Sequence, residues 1–373
     1  MRITIIGPTS PYRGGISHYN TVLCNELKKT HEVQAISFTR LYPKILFPGA
    51  DQRDPESKEK IECDSTEIID SINPLTWIKA VNKIKTTNPE LIIMYWWTPY
   101  FTFNFRTLTS LIKQKTKAKI LFICHNVSPH DARFIDKILT KQALKNADYF
   151  IVHASEEKAN LLKLIPNAKV VQHVHPIYDV FKEKYIKKEE LIKDLNLRKK
   201  VILFFGFVRK YKGLKYLVRA MPKLVEKYPD LDLLVIGEFW NDGLEDKEEL
   251  LNSIVKNHIK LIDYYVPNEN VGNYFEASDI CVLPYITATN SGIVQTSFGF
   301  DKPVIVTKVG GLPEVVEHNK TGLVIDTEST EAIIEAVIDF YDNKKDFTKN
   351  IQKEKDRFSW DKMIDVIENL KLP

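Results

Sequence analysis

The chain has 373 residues and a mass of 43.2 kDa, enough for roughly two domains at about 100–200 residues each. Apolar residues make up 44% and charged residues 27%, with only 14 Gly and 18 Pro, which excludes collagenous, low-complexity and disordered chains. The net charge of +4 is too close to balance for a histone-like nucleic-acid binder, and no aromatic–basic surface motif recurs, so no nucleic-acid partner is expected.

The first elements already carry a pattern. Residues Ile3 to Ile6 form a strand that ends at Gly7, and Ser17 to Lys28 follow with apolar residues at helical spacing. Further strands are expected at Glu32–Phe38, Leu91–Tyr95, Ile120–Cys124, Tyr149–His153 and Lys169–His173, with helices such as Pro74–Thr86 and Thr107–Gln114 between them. A charged, helix-permissive connection fills residues 182–200, and the pattern restarts at VILFFGF, 201–207. Strands then recur at Leu231–Ile236, Ile259–Leu261, Ile280–Leu283, Val304–Thr307 and Gly322–Ile325. Apolar strands joined by helical crossovers predict two successive α/β units with parallel sheets covered on both faces. Ligands of such sheets bind at the carboxyl ends of the strands, and two units facing each other would form a cleft.

Cysteine usage and the N-terminus bound the compartment. Cys24, Cys63, Cys124 and Cys281 show no CxxC spacing, so neither a zinc ribbon nor a redox motif is expected. Cys124 and Cys281 sit in apolar runs and read as reduced core residues. The apolar run of MRITIIGPTSPYRGG is broken by Gly7 and Pro8, too short for a signal-peptide core, and no stretch of about 18 apolar residues occurs. A cytoplasmic location is the expectation.

Four stretches have the composition of ligand sites. Gly14 and Gly15, between the first strand and its helix, let backbone N–H groups approach an anion, or simply make a tight turn. GFVRKYKG, 206–213, places Arg209, Lys210 and Lys212 after a buried strand, as a phosphate grip or as a solvated basic loop. Residues 289–316 contain two glycine turns, at Asn290-Ser291-Gly292 and Gly310-Gly311, each near a strand end, which suggests one ligand-lined rim. His125 ends a buried strand in ILFICHNVSPH, either as a structural histidine or as a residue facing a cleft.

Taken together and in order, RGGISHY, CHNVSPH, GFVRKYKGL and SGIVQTSFGFDKPVIVTKVGGLPEVVEHNKTGLVI resemble glycosyltransferase family 4. FSWDKM, 358–363, resembles that family's closing segment. The resemblance implies a GT-B fold: α/β, two Rossmann-like domains facing across a cleft, with a C-terminal helix crossing back to the first domain. It implies an acceptor-side domain over 1–182, a nucleotide-sugar domain over 183–355 and the returning helix over 356–373. It implies transfer of a sugar from a nucleotide-diphosphate donor with retention of configuration, and no cofactor beyond that donor substrate. By position, Arg209 and Lys212 match the diphosphate pair, Gly15 the glycine near the donor phosphates, and His125 an active-site histidine near the transferred sugar. The candidate catalytic residues are therefore His125, Arg209 and Lys212. The candidate donor-binding residues are Gly14, Gly15, Gly206, Arg209, Lys212 and the run Asn290, Ser291, Gly292, Ile293, Val294, Gln295 and Thr296.

Two departures stand out. Where many members carry paired Glu, this chain has Thr289 and Thr296, as in a sub-branch reading SGxxQ. Asn290, Gln295 and Thr296 can still hydrogen-bond, more weakly than carboxylates. The usual Arg after the glycine is Phe207, with Arg209 two positions later. No DxD pair sits at a strand end, since Asp232 in DLDLLV reads as strand entry, so metal-independent catalysis is expected.

The acceptor is expected to be a glycan or lipid-linked sugar. YWWTPYFTFNFR, 95–106, is rich in aromatics, LYPKILFP, 41–48, is an apolar loop, and KQKTKAK, 113–119, is basic. Residues 95–106 read as a buried strand and core helix, or as an acceptor groove or peripheral patch for an anionic membrane. Charge is split between the halves, +7 over 1–180 and −3 over 181–373, so the basic half is the one expected to meet an anionic carrier. Three other readings stay open at this point: a non-catalytic sugar-nucleotide-binding protein, a GT-B sugar-nucleotide epimerase and a phosphorylase.

Overall fold

The expected strands form, and each pairs in parallel with its neighbours. The structure is a computed structural model, and it describes all residues except 48, 50, 55, 59, 60, 128–133, 179, 180, 182–185, 344, 345 and 371–373. The chain divides into two units, one of Met1–Pro55, Lys60–Val174 and Ser359–Pro373, the other of Glu56–Glu59 and His175–Phe358. Residues 128–130 of CHNVSPH, 182–185 of the charged connection and Pro48 of the apolar loop lie outside the described residues.

In the first unit, the strands are β1 (Arg2–Ile6), β2 (Glu32–Arg40), β3 (Ser65–Asp70), β4 (Leu91–Trp96), β5 (Lys119–Cys124), β6 (Tyr149–Val152) and β7 (Val170–Gln172). Among the described residues they form one seven-stranded sheet, ordered β3-β2-β1-β4-β5-β6-β7. Its helices are α1 (Gly15–Lys28), α2 (Pro74–Thr87), α3 (Thr102–Lys115), α4 (Phe134–Leu144) and α5 (Ser155–Leu164). The central strand β4, LIIMYW, is buried along its whole length, as a parallel strand covered on both faces must be. One face of the sheet carries α2 to α5, whose Trp77, Ile84, Phe105, Ile112, Leu144 and Leu161 share a core with strand residues such as Ile92 and Phe122.

Two elements differ from the sequence reading. β3 was not anticipated, because STEIID is an edge strand with Thr66 and Glu67 exposed, so it lacks an apolar run. α3 starts at Thr102 rather than Thr107, because Thr98 caps a 3₁₀ turn at Pro99–Phe101 that leads straight into it. This decides the aromatic stretch 95–106 in favour of core. Tyr95, Trp96, Phe101 and Phe105 are fully buried, and Phe103 alone of the phenylalanines there is exposed.

In the second unit, the strands are β8 (Lys200–Phe205), β9 (Leu231–Ile236), β10 (Ile259–Ile262), β11 (Ile280–Leu283), β12 (Val304–Thr307) and β13 (Gly322–Ile325). Their order is β10-β9-β8-β11-β12-β13, again all parallel. The helices are α6 (Lys188–Asp194), α7 (Leu214–Lys227), α8 (Leu244–Leu251), α9 (Asn268–Ala277), α10 (Gly292–Gly299), α11 (Leu312–Val315), α12 (Thr330–Asp342) and α13 (Phe347–Glu354). In α7, Leu214, Leu217, Val218, Met221 and Leu224 repeat at helical spacing and are all buried. The chain then returns to the first unit as α14 (Trp360–Glu368), capped by Ser359 and packed on α1. All four cysteines are free, and Cys124 and Cys281 are fully buried, as core residues should be.

Candidate functional site

The second unit gathers its candidate residues where β8 and β11 end. β8 stops at Gly206, whose φ of 107° is open to glycine and strained for other residues. A Cβ there would sit 3.5 Å from both Lys212 Nζ and the Ile293 side chain, so this turn, the basic loop and the start of α10 are neighbours. Lys210–Lys212 form a 3₁₀ turn, and Ile286 N–H donates to Tyr211 O at 2.7 Å, tying the loop to the end of β11.

Lys212 is not solvated as a basic surface loop would be. It is half-buried, and its ammonium donates to the Tyr285 hydroxyl at 3.0 Å. Desolvation pulls its pKa below the ordinary lysine value. Tyr285 Oη lies 3.1 Å from Ser291 Oγ, and burial pushes the Tyr285 phenol up. Ser291 in turn caps α10, its hydroxyl accepting from Ile293 N–H at 3.3 Å. So Lys212, Tyr285 and Ser291 are one hydrogen-bonded chain ending at a helix N-terminus. Thr307 and Thr327 hydroxyls donate to the Tyr285 carbonyl at 2.6 and 3.1 Å, which fixes that residue from β12 and beyond.

Arg209 is engaged differently. Its guanidinium pairs with both carboxylate oxygens of Asp242, at 3.0–3.2 Å, with each side chain about 40% exposed. It also lies over the rings of Trp240 and Tyr211, at 5.1 and 5.4 Å. Phe207, in the slot where the resemblance leads one to expect Arg, packs on Trp240 at 5.0 Å and on Tyr265 at 6.0 Å. A partly exposed aromatic trio therefore stands beside the Arg209 head.

The two glycine turns of 289–316 are physically joined. Gly311 N–H donates to Thr289 O at 2.8 Å. Gly310 has φ 49°, and a Cβ there would fall 1.8 Å from the Ala288 carbonyl oxygen, so only glycine fits. Within α10, Gly292 faces the Tyr178 ring, which a Cβ would meet at 3.4 Å. Val294, Gln295 and Thr296 are buried, and the Thr296 hydroxyl bonds back to Gly292 O at 2.9 Å. Asn290 is half-buried just ahead of the cap.

In the first unit, Gly14 caps α1 and Gly15 opens it. A methyl group added at Gly15 would meet no atom within 4 Å. His125 follows β5 directly, and its N–H donates to Trp96 O at 2.8 Å. Its ring sits edge-on to Tyr19 at 4.9 Å, parallel to Tyr95 at 6.0 Å and 5.4 Å from His153. Tyr19 also meets Trp360 of α14 at 5.1 Å. His153 Nδ1 is 2.8 Å from His173 O. Sequence reasoning singled out neither Tyr285 nor His153. Both stand just past strand ends, like His125, and the strand-end rule could have been applied to them.

Among the described residues no three His, Cys, Asp or Glu side chains converge as a metal site. No helix among them is long and apolar enough to cross a membrane.

Comparison with known proteins locates this geometry. Over 99% of this chain and 98% of that one, the structure superposes on sucrose-phosphate synthase from Thermosynechococcus elongatus with TM-score 0.76 at 18% identity. The chain has the GT-B fold. Anabaena HepE in complex with UDP matches with TM-score 0.74 at 15% identity, over 99% of this chain and all of that one, and HepE has also been solved with UDP-glucose. Residues 186–357, which include every second-unit candidate, match the family model for glycosyl transferases group 1. D-inositol 3-phosphate glycosyltransferase of Corynebacterium urealyticum is 27% identical over 213 residues, 54% of this chain and 50% of that protein. The chain spans about half the length of the curated relatives it matches.

Proposed function

We propose that this protein is a retaining glycosyltransferase that moves a sugar from a nucleotide-diphosphate donor to a glycan or lipid-linked acceptor, at the cytoplasmic side of a membrane, in cell-surface polysaccharide or glycoconjugate synthesis. The observation that carries the reading is the Lys212–Tyr285–Ser291 chain at the start of α10. It brings a partly desolvated cation to a helix N-terminus, and both favour anionic oxygens. The names of the relatives and the nucleotide complexes of a structural neighbour support the same substrate class.

When the donor's glycosidic bond breaks, negative charge develops on the departing diphosphate. Lys212 offers a fixed positive charge to that group, and Ser291 holds the first turn of α10 in place to add its dipole. Arg209 supplies a second cation once diphosphate displaces Asp242. Phe207, Trp240 and Tyr265 offer apolar ring surface on which a base can stack. His125 is assigned to the transferred sugar, and the open space at Gly15 to a donor phosphate, both from the resemblance. With two cations and a helix terminus in these roles, no metal ion is required.

The test is transfer of label from radioactive UDP-, GDP- and ADP-sugars to a membrane lipid extract in EDTA. A labelled product with the donor's anomeric configuration is expected. Sugar transfer that needs added Mn²⁺ would overturn the metal-independent part, and inversion would overturn retention.

A further inference from the structure

The four cysteines are far apart in sequence, yet two of them meet in the fold. Cys24 lies in α1, and Cys63 lies two residues before β3. Thr21, Cys24, Asn25 and Lys28 fall at i, i+3, i+4 and i+7, so they share one face of α1. The segment entering β3 runs along that face. Asn25 Nδ2 donates to Glu62 O at 2.9 Å, and Lys28 Nζ donates to Asp64 O at 3.4 Å. Cys63 stands between these two anchors, and its thiol hydrogen-bonds to the Cys24 thiol and to the Thr21 side chain.

The two thiols are not equivalent. Cys24 is fully buried and Cys63 is half-buried, so a small oxidant reaches Cys63 first. The hydrogen bond to Cys63, with burial, pushes the Cys24 thiol up, so it keeps its proton. The same hydrogen bond pulls Cys63 below the ordinary thiol value, and the Lys28 ammonium adds to this. An attacking thiol beside a resolving one has this asymmetry. Among the described residues no third His, Cys, Asp or Glu joins the pair as a metal site. Cys124 and Cys281 are fully buried within β5 and β11, and they serve as internal references.

We propose that Cys24 and Cys63 are a reversible redox site, closing to a disulfide when hydrogen peroxide reaches the folded chain. The Cys63 thiolate attacks one peroxide oxygen. The S–O bond forms, the O–O bond breaks, and the departing hydroxide recovers the proton that the thiol gave up. Cys63 is then a sulfenic acid. The Cys24 sulfur attacks the Cys63 sulfur, the S–S bond forms and the S–O bond breaks. The hydroxide leaves with the Cys24 proton as water. In sum, two thiols give up two electrons and two protons, and one peroxide becomes two waters. The new bond staples α1 to β3, the strand that ends the first sheet and borders β2 alone. The site uses no donor-site residue, and its test reads no transfer activity.

The experiment treats the reduced full chain with one equivalent of hydrogen peroxide under native conditions. The chain is then alkylated in denaturant and its intact mass is measured. Wild type is expected to lose two of its four alkylatable thiols without gaining oxygen, and a digest should yield Cys24 joined to Cys63. Dithiothreitol should restore all four thiols. Cys24→Ala should leave Cys63 as a sulfenic acid that dimedone traps, and Cys63→Ser should keep its three thiols. The oxidised wild type should melt no lower than the reduced form, because the cross-link restricts the unfolded chain. Four thiols after peroxide would overturn the proposal, as would a disulfide that uses Cys124 or Cys281 or joins two chains. A disulfide that forms only in denaturant, or that lowers the melting point, would also overturn it. The wild-type masses give the result even where a variant fails to fold.

Discussion

Lys212→Met removes the charge of the half-buried lysine and keeps most of its length. In the wild type the ammonium lies 3.0 Å from the Tyr285 hydroxyl and 4.8 Å from its ring centroid, partly out of water. Desolvation lowers its pKa, so keeping it charged costs folding free energy. Met in its place should leave the thermal midpoint equal or higher. Catalysis should move the other way. Losing one preorganised cation beside a departing diphosphate costs about 2–4 kcal/mol, or roughly 30- to 900-fold in turnover. The pH behaviour supplies a second signature. Below the unfolded lysine value and above the lowered folded value, the unfolded chain binds more protons, so wild-type stability rises with pH in that window. Over the same window Lys212 loses its charge, so turnover falls. Lys212→Met should show neither slope. The assays are release of nucleoside diphosphate from the nucleotide sugar that binds, and melting followed by circular dichroism across alkaline pH. Wild-type turnover in the variant would refute the reasoning, and so would a loss of activity that tracks a lowered melting point.

Asp242→Asn should free Arg209 for the donor and lower the donor KM by up to about fivefold, since an exposed pair is worth about 1 kcal/mol at most; a raised KM would show that Asp242 itself helps to hold the donor. Arg209→Ala should cut turnover by about tenfold or more in the same assay. Glu157 is buried, and desolvation raises its carboxyl to about 7 while it accepts the Val127 N–H. Its folded pKa lies above the unfolded one, so the stability it contributes is complete below about 4.5 and is lost as pH rises through 7. Melting midpoints should fall between those pH values, and Glu157→Gln should flatten that fall. Gly310→Ala places a Cβ 1.8 Å from the Ala288 carbonyl oxygen at φ 49°, and chemical denaturation should show a loss of more than about 2 kcal/mol.

How much of this was legible before the structure depends on what each residue must satisfy. Strands such as ILFIC and VILFF announce themselves, because a doubly covered parallel strand has to be apolar along its length. STEIID did not, since this edge strand exposes Thr66 and Glu67 to water and so lacks an apolar run. Arg209, Lys210 and Lys212 were legible as a basic loop after a buried strand, and the resemblance singled out Arg209 and Lys212 among them. What each does alone was not, because Asp242 and Tyr285 come from sequence positions 33 and 73 residues away. The closeness of the two glycine turns was inferable from their spacing, whereas the bond from Gly311 to Thr289 needed coordinates. The stretch 95–106 read two ways, and only coordinates separate its rings: Tyr95, Trp96, Phe101 and Phe105 are buried, whereas Phe103 is exposed.

The central claim is that the start of α10, with Lys212, binds a diphosphate. Calorimetric titration of wild type and Lys212→Met with UDP, GDP and ADP, each against its monophosphate, tests it most directly. The account predicts that one diphosphate binds the wild type at least about tenfold more tightly than its monophosphate, and that Lys212→Met erases the difference. Equal affinity for the two nucleotides, or the same diphosphate affinity in both proteins, would contradict it.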